Sequence, residues 1–120
     1  MNLKTHVTTL KTSKLLVKNG WDMRTLFYWY DTTSEGGDLM ELKYEKDILG
    51  YHIAKVPQCY YPAPLASEIG EELAKDCKTY WTGLEFRCEC DKKNGYAIQG
   101  DNETEIRAQM WIYLKKEGLI

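Results

Sequence analysis

The chain has 120 residues, of which 43% are hydrophobic and 28% are charged. That length suits one domain with its own hydrophobic core, and the composition argues against an intrinsically disordered chain. The formal net charge of -2 at pH 7 lacks the basic excess that a strong nucleic-acid binder usually carries.

The first half of the chain predicts one helix followed by strands. The helix begins after Thr9, its predicted N-cap, and stops at Gly20, which suits a left-handed stop. The aromatic-rich run at 26–30 favours a strand, and residues 39–44 are predicted to return as its partner. Residues 50–56 are predicted to form a third strand.

A second helix is predicted to start at Pro64, because proline is tolerated in a first helical turn. Leu65, Ile69, Leu73 and Cys77 fall close to one helical face, so the helix is expected to extend as far as Cys77.

The next segment predicts a hairpin. Residues 84–90 alternate between apolar and charged side chains, as in a strand with one buried face. Asn94-Gly95 predicts a tight turn, and residues 96–99 are expected to form the returning strand. The predicted buried face consists of Leu84, Phe86, Cys88 and Cys90.

The last helix is the best defined element in the sequence. Asn102 is its predicted N-cap and Gly118 its stop. Ile106, Met110 and Leu114 recur at helical spacing and are expected to anchor the helix on a sheet. Trp111 lies one residue off this stripe, so we expect it at the edge, in contact with solvent.

The order α-β-β-(β)-α-β-β-α predicts an α+β fold. We expect a single domain over residues 1–120, with an antiparallel sheet and about three helices packed on one face. No stretch has the roughly 20 consecutive apolar residues of a membrane span, and none near the N-terminus resembles a secretory signal, so a cytoplasmic location is predicted.

The four cysteines are expected to be reduced thiols, since no export signal accompanies them. Cys88-Glu89-Cys90 has the spacing of half a metal site, but the second pair that zinc needs is missing. Both thiols are therefore predicted to be small core residues, and neither a metal nor a cofactor is expected.

Candidate catalytic residues are few. Cys59 with His52 is the one thiol–base pairing that can be constructed, and the sequence fixes no geometry between them. A pocket near His52, Cys59 and Tyr61 is thus an alternative hypothesis, for a small ligand-binding protein or an enzyme. Nucleic-acid binding is a weaker alternative, and its candidate residues are Lys43, Lys46, Lys92 and Lys93.

Aromatic side chains are the other unusual feature, with nine Tyr and four Trp residues. Consecutive aromatics on a strand must face opposite sides of the sheet, so one set is predicted to be core and the other is a candidate binding surface. The alternative is that helices cover both. The candidate binding residues are Tyr28, Trp29, Tyr30, Tyr60 and Tyr61.

Two stretches resemble a group of known proteins when they are taken together. Residues 61–70 read Tyr-Pro-Ala-Pro-Leu-Ala-Ser-Glu-Ile-Gly, and residues 105–120 end in a Lys-Glu-Gly turn. With Ser-Lys-Leu-Leu at 13–16 and Asn-Gly-Trp at 19–21, they resemble small uncharacterised proteins of bacterial prophages and mobile elements, notably in gut bacteria. The resemblance implies a bacterial or phage origin and transfers no active residues.

The leading hypothesis is therefore a small, non-enzymatic, phage-related accessory protein that acts through protein–protein contacts. It follows from the missing catalytic constellation and from the surplus of aromatic residues.

Overall fold

The computed structural model describes residues 3–31, 40–44, 60–73, 77–91 and 95–120. After a short 3-10 helix at Leu3–Thr5, the elements in chain order are α1 Leu10–Lys18, β1 Phe27–Asp31, β2 Met40–Tyr44, β3 Tyr60–Pro62, α2 Ala66–Glu72, β4 Cys77–Trp81, β5 Phe86–Cys90, β6 Tyr96–Gly100 and α3 Glu103–Lys116.

The described strands form two antiparallel sheets. The first has the order β2-β1-β3 and the second the order β4-β5-β6. The predicted α+β class is confirmed, but the described strands are divided between two sheets and do not form the one sheet expected. The division follows from packing, because β3 contacts α1 whereas β5 and β6 lie against α3.

Helices α1 and α3 begin and end where the sequence predicts. The Thr9 hydroxyl accepts a hydrogen bond from the Thr12 N–H at 3.2 Å, and the Asn102 side chain accepts one from the Glu105 N–H at 3.0 Å. These bonds satisfy N–H groups that the first helical turn leaves without an intrahelical partner. Gly20 follows α1 with φ +98° and Gly118 follows α3 with φ +70°.

The three described helices contribute to one hydrophobic cluster. Leu16 of α1, Ile69 of α2 and Ile112 of α3 are buried in it. Trp21 and Trp111 meet there edge to face, with ring centroids 5.1 Å apart. Trp111 is only 2% exposed, so the expectation that it touches solvent is wrong. The buried apolar face of α3 is wider than predicted, because the segment that follows α1 packs Trp21 against it.

A second cluster joins α3 to the second sheet. Ile106, Met110 and Leu114 pack against Cys88 and Cys90, and all five side chains are buried. The predicted anchoring of the last helix is confirmed, as is the prediction that these two cysteines lie in the core.

A third cluster lies under the first sheet. Phe27 and Trp29 of β1 pack with Val7 and Ala63. The Trp29 indole N–H donates a hydrogen bond of 2.8 Å to the Thr8 carbonyl, so the polar atom of this buried ring is satisfied.

Two predicted boundaries are wrong in the middle of the chain. The second helix ends at Glu72, where the next residue, Leu73, is extended with ψ 152°. Cys77 is consequently not helical but begins β4. Leu84 lies outside β5 and is exposed, so it does not share the buried face of that strand. The strand expected at residues 50–56 lies outside the described residues.

Candidate interaction surface

The sequence-predicted aromatic surface is mostly covered. Tyr28 and Trp29 are buried, so neither belongs to an exposed binding face. Tyr60 and Tyr61 are half-buried. The Tyr60 ring packs edge-on against Tyr28 at 5.6 Å, and the Lys14 ammonium lies 5.5 Å from the centroid of the Tyr61 ring. The side chain of Tyr30 lies outside the described residues.

The other candidate residues named from the sequence also lie outside the part of the chain that the structure describes. This applies to the proposed pocket residues His52 and Cys59, and to the side chains of Lys43, Lys46, Lys92 and Lys93. Within residues 3–31, 40–44, 60–73, 77–91 and 95–120, no cluster of three His, Cys, Asp or Glu side chains is arranged to hold a metal ion.

Among the described residues, the turn between β4 and β5 carries the most exposed large apolar side chain, Leu84. The Thr82 N–H donates to the Glu85 carbonyl at 2.9 Å, and the Thr82 hydroxyl donates to the same oxygen at 3.0 Å. That hydroxyl also accepts from the N–H groups of Leu84 and Glu85 at 3.3 Å. Gly83 has φ +105°, a left-handed backbone conformation that glycine adopts without strain. These bonds hold the turn in one conformation.

This turn and the strand ends beside it present apolar side chains to solvent. Leu84 at its tip is 90% exposed and Trp81 at the end of β4 is 55% exposed. The Trp81 ring packs edge-on against Phe86, with centroids 4.9 Å apart, which fixes its orientation. We refer to Trp81, Leu84 and Phe86 as the hairpin surface.

A groove adjoins the hairpin surface at Phe86. It has a volume of about 480 Å³, and Phe86 and Leu65 supply its apolar lining. Asp101, Glu103 and His6 are among the polar residues that line it. The Glu103 carboxylate is paired with the Arg107 guanidinium at 2.9 Å, which compensates its charge. The groove beside the hairpin surface is therefore lined by both apolar and polar side chains.

The outer face of the second sheet is polar. The Glu89 carboxylate lies 3.4 Å from the Lys78 ammonium and 3.4 Å from the Arg87 guanidinium. Desolvation opposes ionisation of Glu89, but hydrogen bonds from Lys78, Tyr80 and Arg87 and the charge of Lys78 outweigh it and lower the pKa of this carboxyl. The apolar hairpin surface thus borders a charged sheet face.

Sequence reasoning missed this surface because it assigned Leu84 to a buried strand face and Cys77 to a helix. The signal that was available is the run Thr79-Tyr80-Trp81, which has the β-branched and aromatic residues typical of a strand. Gly83 follows after one further residue, Thr82, and permits a tight turn.

An exposed Trp beside an exposed Leu on a rigid turn is chemically suited to contact, because such side chains supply apolar area without ordering a loop on binding.

In the part of the chain that the structure describes, no helix has both the length and the apolar character needed to cross a bilayer. Comparison with protein-family models, with curated proteins and with solved structures finds no match to this chain.

Proposed function

We propose that this protein binds another protein through the hairpin surface. The observation that carries the proposal is the exposure of Leu84 and Trp81, 90% and 55%, on a turn held by four hydrogen bonds from and to Thr82. Large apolar side chains that are held in water by an ordered backbone mark interaction sites, and Trp is enriched among the residues that dominate binding energy.

The rigidity of the turn supports the proposal. A flexible loop loses conformational entropy on binding, at about 0.5–1.5 kcal/mol for each immobilised long side chain. Trp81 is already oriented by Phe86, and the turn is closed by Thr82, so little of this cost remains. The polar side chains that line the adjoining groove are of the kind found at the rim of a typical interface.

The proposal retains two expectations from the sequence. The protein is proposed to be a non-enzymatic accessory protein of phage or mobile-element origin, and it is proposed to act in the cytoplasm. Both rest on sequence features alone.

Site-specific photocrosslinking tests the proposal. A benzophenone amino acid is placed at position 84 in one variant and, as a matched control, at Leu26 in another, because Leu26 is an apolar side chain that is 50% exposed and lies between α1 and β1. Both variants are irradiated in cells of the source organism, and the adducts are identified by mass spectrometry.

The expected result is one reproducible protein adduct from position 84 that position 26 does not give and that Trp81→Ala strongly reduces. The same adducts from both positions, or no adduct from position 84, would overturn the proposal. An adduct with a second copy of the chain would identify the surface as a self-association site and contradict a separate partner.

A further inference from the structure

Three cysteines meet on the inner face of the second sheet. Cys77 begins β4, and Cys88 and Cys90 lie on β5. All three contact the cluster under α3 and carry thiols. The register places Cys77 directly opposite Cys90, whereas Cys88 lies opposite Thr79.

The hydrogen bonding of the hairpin shows which kind of pair Cys77 and Cys90 form. Opposed residues in an antiparallel ladder alternate between hydrogen-bonded and non-hydrogen-bonded pairs. The bond from the Thr82 N–H to the Glu85 carbonyl makes that closing pair hydrogen-bonded. Counting along the register makes Cys77 and Cys90 a non-hydrogen-bonded pair.

This type of pair suits a disulfide. The Cα atoms of a non-hydrogen-bonded pair are about 4.5 Å apart, with the side chains turned toward each other. Disulfides form across Cα separations of about 4.4–6.8 Å. The strands already hold both Cβ atoms on one face, so joining Cys77 to Cys90 needs no change of register.

The two thiols differ in their access to solvent. Cys77 is half-buried and lines an open cavity of about 280 Å³, together with Thr79 and Arg107. Cys90, directly across from it on β5, is fully buried. A small oxidant can therefore reach Cys77 first, and Cys90 is placed to resolve the product.

We propose that Cys77 and Cys90 form an oxidisable pair that closes to a disulfide when the protein meets a low-molecular-weight disulfide such as oxidised glutathione. The Cys77 thiolate attacks one glutathione sulfur, forming a mixed disulfide and releasing one glutathione thiolate. The Cys90 thiolate then attacks the Cys77 sulfur and releases the second glutathione. Two protein thiols are oxidised, and one oxidised glutathione is reduced to two glutathione molecules.

Cys88 is the internal comparison for this chemistry. Burial raises the pKa of its thiol, although a hydrogen bond with Thr79 and the charge of Arg107 act in the opposite direction. Its cross-strand neighbours are Thr79 and Ile98, so it lacks a directly opposed thiol. The disulfide would close the base of the hairpin that carries Trp81 and Leu84. The inference stands independently of any partner that binds there.

The test uses the folded chain with Cys59→Ser, so that the fourth cysteine does not react. The protein is incubated with oxidised glutathione at fixed ratios to reduced glutathione, quenched with acid, alkylated and analysed by peptide mapping. We expect a mass loss of about 2 Da and a cross-linked peptide pair joining Cys77 to Cys90. Cys88→Ala is expected to leave this product unchanged.

The single variants separate the two steps. Cys90→Ala is expected to stop at the mixed disulfide, with a mass gain of about 305 Da on Cys77, and Cys77→Ala is expected to gain nothing. A cross-link that involves Cys88, or full alkylation of Cys77 and Cys90 after oxidation of the Cys59→Ser protein, would overturn the proposal. Mapping that protein requires no core variant, so failure of a variant to fold does not affect the outcome.

Discussion

Gly70 in α2 provides a test in which the structure and helix propensity predict opposite signs. The Nη1 atom of Arg107 donates to the Ala66 carbonyl at 2.7 Å, while Nε donates to the Thr79 hydroxyl at 3.1 Å and Nη2 pairs with Glu103 at 2.9 Å. A Cβ atom at position 70 would lie 2.6 Å from Nη1. The Gly70→Ala variant must therefore displace a guanidinium that is held on three sides.

The net effect follows from two opposing terms. Alanine favours a helix over glycine by up to about 1 kcal/mol. Loss of the charge-assisted hydrogen bond from Arg107 to Ala66 costs about 1.5–3 kcal/mol. We expect Gly70→Ala to lower the free energy of unfolding by about 0.5–2 kcal/mol, because the lost bond outweighs the propensity gain. Each kcal/mol of lost stability should lower Tm by roughly 3–6 °C.

Urea unfolding followed by Trp fluorescence measures this change, since Trp21 and Trp111 lie in the core. Arg107→Met supplies the control background, because it removes the guanidinium and keeps a long side chain that favours a helix. In the Arg107→Met background, Gly70→Ala is expected to raise the free energy of unfolding by up to about 1 kcal/mol. The reasoning is refuted if Gly70→Ala stabilises the unmodified chain, or if its effect is the same in both backgrounds.

Three further predictions concern stability. Glu105→Ala should lower the free energy of unfolding by about 2–3 kcal/mol, because Oε1 accepts hydrogen bonds from two hydroxyls of the α1 N-terminus. As a control, Gln109→Ala on the exposed side of α3 should change it by less than about 0.5 kcal/mol. Equal effects of the two substitutions in urea unfolding would contradict this prediction. Met110→Ala should cost about 2–5 kcal/mol because the side chain is fully buried, and a smaller loss in the same assay would count against the described packing. The pKa of Glu89 is lowered in the folded state, so the unfolded state binds more protons between the two pKa values. The stability that this carboxylate contributes is full above the unfolded pKa and is lost as pH falls through the folded pKa. Glu89→Gln should therefore flatten the acid side of the pH dependence of the urea midpoint, and an unchanged slope would refute the assignment.

The sequence predicted the elements whose signals are local. Helix caps depend on residues within one turn, so Thr9 and Asn102 could be assigned without any tertiary information. The alternation at Phe86, Cys88 and Cys90 likewise identified a strand, apart from the first two residues predicted for it, 84 and 85.

The features that the sequence did not predict depend on contacts between residues that are far apart along the chain. Trp111 is buried because Trp21 reaches it from the other end of the chain. Cys77 fits a helical stripe as well as a strand, and pairing with Cys90 decides between them. Leu84 was misplaced for a similar reason, since alternation does not show where a strand ends and a turn begins. The candidate surface therefore became visible only with the tertiary structure.

The most direct test of binding at the hairpin surface is the dissociation constant of the purified protein with the partner that crosslinks to position 84. Trp81→Ala and Leu84→Ala are each expected to weaken binding by about 30-fold or more, as substitutions at interface hot spots do, while Leu26→Ala leaves the constant within about twofold. Equal affinity for all three variants, with each shown to be folded by its urea transition, would contradict the proposed function.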